Sequence, residues 1–191
     1  MKNLINPNQI NQKFFIITLF IMLMLLTRGS HFLTAYELPD ATFILMFAGG
    51  IFLRRFKYFL SLIFISIMID YFSLDAGIVI SYLFNFGYLG LIATYSLIWV
   101  YASKLSNDSI TKMPLFLING FLFLLISFLG SSLTFYFLSG WPIFEKNLLE
   151  FLVQHAPSFI LANLTYLVIM FTSKSFIDYL HKFRKFKFEN N

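Results

Sequence analysis

Seven polar side chains in this 191-residue chain fall near one end of its apolar segments: His31, Asp40, Asp70, Tyr82, Asn85, Tyr136 and His155. Carboxylates, imidazoles, an amide and phenols gathered in one place would bind a ligand by hydrogen bonds and charge, or approach a metal carried by that ligand. Catalysis is less well represented. The sequence has no His-Glu-x-x-His zinc pattern, no Gly-x-Ser-x-Gly elbow and no Walker loop, and its three histidines are dispersed. Cysteine is absent, which excludes disulfides, thiolate metal sites and cysteine nucleophiles. An intramembrane hydrolase using Asp70 with Asp75 or His155 is the weakest reading, because Asp70 and Asp75 are not an i,i+4 pair and straddle a helix end. We therefore expect no enzyme, no catalytic residue and no intrinsic cofactor.

The elements that must position these residues are membrane helices. The chain is 59% hydrophobic and 12% charged, with 27 phenylalanines, more apolar surface than a soluble domain can hide. Six apolar segments, near 14–32, 40–54, 56–74, 76–101, 113–139 and 155–174, fill it as one polytopic domain over 1–191. They lack the alternation of a membrane barrel strand, so an all-α bundle of six transmembrane helices is expected. Phe14 to Leu26 follows Lys2 and Lys13 as a secretory signal would, yet Thr27-Arg28-Gly29-Ser30-His31 offers no small-x-small cleavage site.

Charge orients the bundle. Of the 14 Lys and Arg residues, only Arg28 and Lys146 fall on one side, and the rest share the other with both termini. The positive-inside rule makes that basic side cytoplasmic. Glu37, Asp40, Asp70, Asp75, Glu145 and Glu150 lie on the outer side. The net charge of +5 is spread over loop ends whose nearest anions are lipid headgroups, so the bilayer, not nucleic acid, is the expected partner. The tail His181-Lys182-Phe183-Arg184-Lys185-Phe186-Lys187-Phe188 reads as a headgroup anchor or as a dock for a cytoplasmic partner.

Punctuation marks the helix ends. Pro39-Asp40 reads as a helix start with Asp40 as N-cap, and Arg54 to Lys57 as a tight hairpin between antiparallel helices. Asp70 lies about 21 Å along its helix, in the outer third of the membrane, where an ionisable group usually faces a cavity or a partner. Two readings follow: a pocket open to the outside and edged by Asp70 and a histidine, or interface decoration in which Asp70 caps a helix or pairs with Arg28. Asn85, Gly87 and Gly90 make the fourth span the least ordinary, since close packing explains the glycines better than it explains Asn85. The sequons at Asn107 and Asn163 fall in a cytoplasmic loop and a span, so neither reads as a glycosylation site.

Thr27-Arg28-Gly29-Ser30-His31-Phe32, Leu38-Pro39-Asp40-Ala41, Phe47-Ala48-Gly49-Gly50, Asp70 and the run Gly87-Tyr88-Leu89 to Tyr95 and Trp99 resemble the solitary cobalamin transporters, bacterial proteins similar to the S components of energy-coupling factor (ECF) transporters. The resemblance covers residues 14–102; the remainder matches in hydropathy and length. It implies an S-component-like fold in the bacterial inner membrane, cytoplasmic termini and a periplasmic corrinoid pocket. Within that pocket His31 would approach cobalt, Asp70 would lie beneath the ligand and Tyr88 would be the fourth-helix tyrosine. Leu83 stands where the family carries a cobalt-facing cysteine and cannot ligate metal or act as a thiolate, so thiol-dependent reductive chemistry is not expected. The bulky first helix also departs from the small residues that S components present to an ECF-type energising module.

The leading expectation is a transporter or binding component for cobalamin, another corrinoid or a vitamin-sized solute, using His31, Asp70, Leu83, Asn85 and Tyr88 as ligand-binding positions. A noncatalytic membrane assembly or scaffold protein is the alternative.

Overall fold

A computed structural model describes residues 7–28, 38–73, 85–106, 111–139 and 147–189. Six helices occupy them: α1 (Pro7–Arg28), α2 (Thr42–Phe52), α3 (Phe56–Ser73), α4 (Phe86–Ser103), α5 (Met113–Leu138) and α6 (Leu148–Glu189). No strand occurs among the described residues. Five of the helices, all but α2, are long and apolar enough to cross a membrane. Their outward faces carry Phe14, Phe64, Phe72, Phe121, Leu161 and other large apolar side chains with no protein neighbour to cover them. Such surface is stable only against lipid, so this is a multi-pass helical membrane protein.

The second segment differs most from the sequence-based expectation. Its helix has 11 residues, about 17 Å and so close to half of a hydrocarbon core. Every residue from Thr42 to Ile51 is buried. Hydropathy does not separate a helix surrounded by lipid from one surrounded by other helices, and an apolar run this short is commonly the latter. The helix packs on α1, α3, α4 and α6, with Phe47 between Phe123 and Tyr101.

Other boundaries shift for local reasons. α1 is described from Pro7, a residue tolerated in a first helical turn, to Arg28, and its expected end near residue 32 lies outside the described residues. α4 begins at Phe86 because Asn85 takes extended backbone angles and caps it: its Oδ1 accepts from Gly87 N at 2.7 Å. Asn85 is therefore an N-cap, not a residue within the fourth helix. α6 runs on through the basic tail for 42 residues, about 63 Å, far more than a crossing needs. Asp40 also shifts role: Ala41 holds the cap position, while the Asp40 carboxylate still accepts from Thr42 N at 2.8 Å.

The hairpin between α2 and α3 is as tight as expected, with Leu53 to Arg55 joining them. Arg54 takes φ 57°, a left-handed angle that suits glycine better. Its guanidinium spans the gap, donating to Ile51 O at 3.2 Å and Leu105 O at 2.8 Å. Those bonds fasten the end of α2 to the end of α4.

Glycine permits close approach at two seams. A methyl group on Gly130 would lie 2.6 Å from Thr94 Cγ2, and one on Gly90 would collide with Thr134, so α4 and α5 meet through reciprocal glycine and threonine contacts. Gly49 and Gly50 likewise leave room for Trp99 and Ala102. The core between these seams holds Met24, Phe47, Leu62, Tyr95, Ile98 and Phe123.

Candidate functional site

Arg28, the last residue of α1, organises one end of the bundle. Its Nε and Nη2 donate to the two oxygens of Asp70 on α3, each at 2.7 Å, in a bidentate ion pair. Its Nη1 reaches Asp40 at 2.9 Å, Thr42 Oγ1 at 3.1 Å and the Tyr95 hydroxyl at 3.0 Å. Tyr88 donates to Asp70 Oδ2 at 2.8 Å, and Thr42 Oγ1 donates to Asp40 Oδ1 at 2.5 Å. One guanidinium thus joins residues of α1, α3 and α4 with Asp40 and Thr42 at the start of α2.

Sequence chemistry explains why this arrangement forms. Arg28 and Asp70 have side chains only 7% and 10% exposed, a position where either charge alone would be strongly disfavoured. Two carboxylates balance one guanidinium, and Asp40, with its side chain 39% exposed, takes the edge nearest water. Of the two expectations for Asp70, pairing with Arg28 is observed. Tyr88 reaches Asp70 from the fourth helix.

Beside the network lies a cavity of about 660 Å³. Three helical stripes line most of it. α4 supplies Tyr88 and Leu91; α5 supplies Ser131, Ser132 and Phe135; α6 supplies Phe151, His155, Ser158, Phe159, Ala162 and Asn163. The spacings of three, four, seven and eight residues keep each set on one helix face. Asp40 and Phe43 close the cavity from the α2 side. Asn85 lines it too, with its Nδ2 donating closely to Ser139 O.

Polar groups on the walls are mostly committed. His155 Nδ1 lies 2.8 Å from Phe151 O; because a carbonyl only accepts, that nitrogen carries a proton. Ser131 donates to Ser127 O at 2.6 Å and Ser158 to His155 O at 3.2 Å. Asn163 is 3% exposed and donates from Nδ2 to Phe159 O at 3.0 Å. Its Oδ1 is buried without a hydrogen-bond partner.

Among the expected ligand-binding positions, Asn85 and Tyr88 line the cavity, whereas Asp70 is held behind Tyr88 by Arg28. His31 and Leu83 lie outside the described residues, as do Tyr82 and Asp75. Tyr136 packs on the Phe151 ring, away from the lining. No group of three or more His, Cys, Asp or Glu residues able to hold a metal occurs among the described residues. Asn163 was legible in the sequence only as a sequon, although its spacing of eight residues from His155 places both on one face of the sixth helix. No protein-family model and no curated protein matches this chain, so the resemblance to the solitary cobalamin transporters rests on the quoted motifs alone.

Proposed function

We propose that this chain is a membrane transporter or substrate-binding component for a corrinoid or another vitamin-sized solute, with its pocket on the outer side of a bacterial inner membrane. The observation that carries this reading is the cavity: about 660 Å³, walled by aromatic and aliphatic groups, with two amides and an imidazole among them. That size falls in the range of small-molecule sites and encloses a drug-sized vitamin whole or a corrinoid in part. In this reading α2 completes a sixth pass with its flanking segments, both termini are cytoplasmic, and the network around Arg28 faces the periplasm, as the loop charges favour. His31 supplies the cobalt ligand of a bound corrinoid, and an ECF-type module is a candidate source of energy.

Equilibrium binding of cyano-, hydroxo- and adenosylcobalamin and of cobinamide to the purified protein, followed by absorbance, tests the reading. Saturable binding is expected, with a spectral shift that His31→Ala removes. Binding without that shift would remove cobalt ligation and keep the pocket. Failure of every corrinoid to bind folded protein would reject the corrinoid assignment.

A further inference from the structure

The wall that α6 contributes to the cavity is interrupted by a proline. Pro157 sits well inside the helix, between His155 and Ser158, both of which line the cavity. Having no N–H, it leaves the Val153 carbonyl without its usual helical partner, and its ring crowds that same oxygen. Membrane helices tolerate proline where nearby groups satisfy the freed backbone. Here the neighbouring side chains are spent on other carbonyls: His155 Nδ1 lies 2.8 Å from Phe151 O, and Ser158 Oγ donates to His155 O at 3.2 Å. A turn built this way is where a helix bends.

Pro157 also divides α6 into two arms that are held to the bundle very differently. On the inner arm, from Ser158 onward, Phe159 packs against Phe43 and Phe128 with ring centroids 5.3 and 5.5 Å apart. Asn163 and Leu167 are each 3% exposed, Tyr166 donates to Pro39 O at 2.6 Å and Phe171 packs on Phe116. On the outer arm, residues 148–156, the one buried residue is Phe151, which rests on Phe135 and Tyr136 of α5. Every other residue of that arm is half-buried or exposed.

The division falls across the cavity. Phe151 and His155 of the lining ride on the outer arm, whereas Ser158, Phe159, Ala162 and Asn163 belong to the inner one. Bending at Pro157 draws the first pair away from α5 and leaves the second set seated, so the space widens without detaching the helix. Contacts that are few and confined to one ring are the ones that open most readily.

We propose that α6 is hinged at Pro157 and that its outer arm is the gate of the cavity, latched by Phe151 against Phe135 and Tyr136. The gating role rests on the cavity being the ligand site; the hinge does not.

The chain has no cysteine, so thiols can be introduced singly or in pairs. Spin labels on Leu97→Cys of α4, paired with Val153→Cys on the outer arm or Leu161→Cys on the inner arm, occupy exposed positions and report each arm by double electron–electron resonance in lipid nanodiscs. The distance distribution to the outer arm should be the broader. Pro157→Ala should narrow it to the width seen for the inner arm and leave the unfolding midpoint equal or higher. Equal widths at the outset, or an outer-arm width that Pro157→Ala does not change, would overturn the hinge.

Access to the cavity is read without a solute. Ser132→Cys places a thiol on the wall at a position 8% exposed, and fluorescein maleimide should modify it in the folded protein. Adding Pro157→Ala should slow that reaction roughly tenfold, since opening then breaks a backbone hydrogen bond that proline does not make. Absence of modification, or an equal rate with and without Pro157, would overturn the gate even with the hinge upheld. Failure of every corrinoid to bind would reject the corrinoid assignment and leave both of these readouts standing.

Discussion

The network around Arg28 and the cavity beside it share Asp40 and Tyr88, yet they treat polar groups in opposite ways. In the network each nitrogen of a buried guanidinium finds an acceptor, and each oxygen of Asp70 finds a donor. Beside the cavity the buried Asn163 Oδ1 finds none. Polar groups that satisfy one another hold helices together and have little left for a ligand. Polar groups that keep hydrogens or lone pairs beside an open space are the ones a ligand would meet. The carboxylate that looked most functional in the sequence is therefore a fastening, and the cavity wall offers the better candidate contacts.

The severest way to break this contrast is to remove the fastening. Arg28→Met leaves Asp70 buried without its cation and should lower stability by about 3–5 kcal/mol, read as a fall in the unfolding midpoint in detergent. Adding Asp70→Leu should restore much of that loss, since two apolar groups replace a pair instead of stranding one partner. Arg28→Lys should rescue poorly, because an ammonium cannot make the bidentate contact. If Arg28→Met unfolded like the wild type, Arg28 would not be the joint described here.

A smaller effect is expected on the cavity side. Gly130→Val forces bulk into a seam where even a methyl group would lie 2.6 Å from Thr94 Cγ2, and should cost about 1–3 kcal/mol while pushing α5 away from α4. Because α5 forms one wall, ligand affinity should fall with stability. Parallel unfolding and binding titrations separate the two.

The smallest effect falls on the residue common to both regions. Tyr88→Phe removes the hydroxyl that donates to Asp70 Oδ2 but keeps the ring on the cavity wall. Stability should drop by about 1 kcal/mol, since Asp70 retains both contacts from Arg28. Binding should change little. A large loss of binding with stability intact would assign the Tyr88 hydroxyl to the ligand.

How much of this was visible beforehand depends on what each residue meets. The helices at 56–73 and 113–138 matched the hydropathy reading almost to the residue, because long apolar runs must be helical where lipid supplies no hydrogen bonds. The buried nature of α2 was not visible, since Thr42 to Ile51 read the same against lipid as against protein. Pairing of Arg28 with Asp70 was one of two open readings, and nothing in their separation of 42 residues could choose between them. Asn85 looked like an intramembrane polar residue until the backbone showed it capping α4. Asn163 required the three-dimensional cavity, because an unsatisfied acceptor is defined by partners that sequence does not list.

The most direct test of the central claim, that the cavity between α4, α5 and α6 receives the solute, is to fill it. Ala162 lies on its wall, and Ala162→Trp places an indole where the solute would sit. The binding titration should then show at least about a tenfold weaker Kd for a solute that binds the wild type, with the unfolding midpoint unchanged or raised as the void is closed. Undiminished affinity in a folded Ala162→Trp protein would contradict the account and place the solute elsewhere.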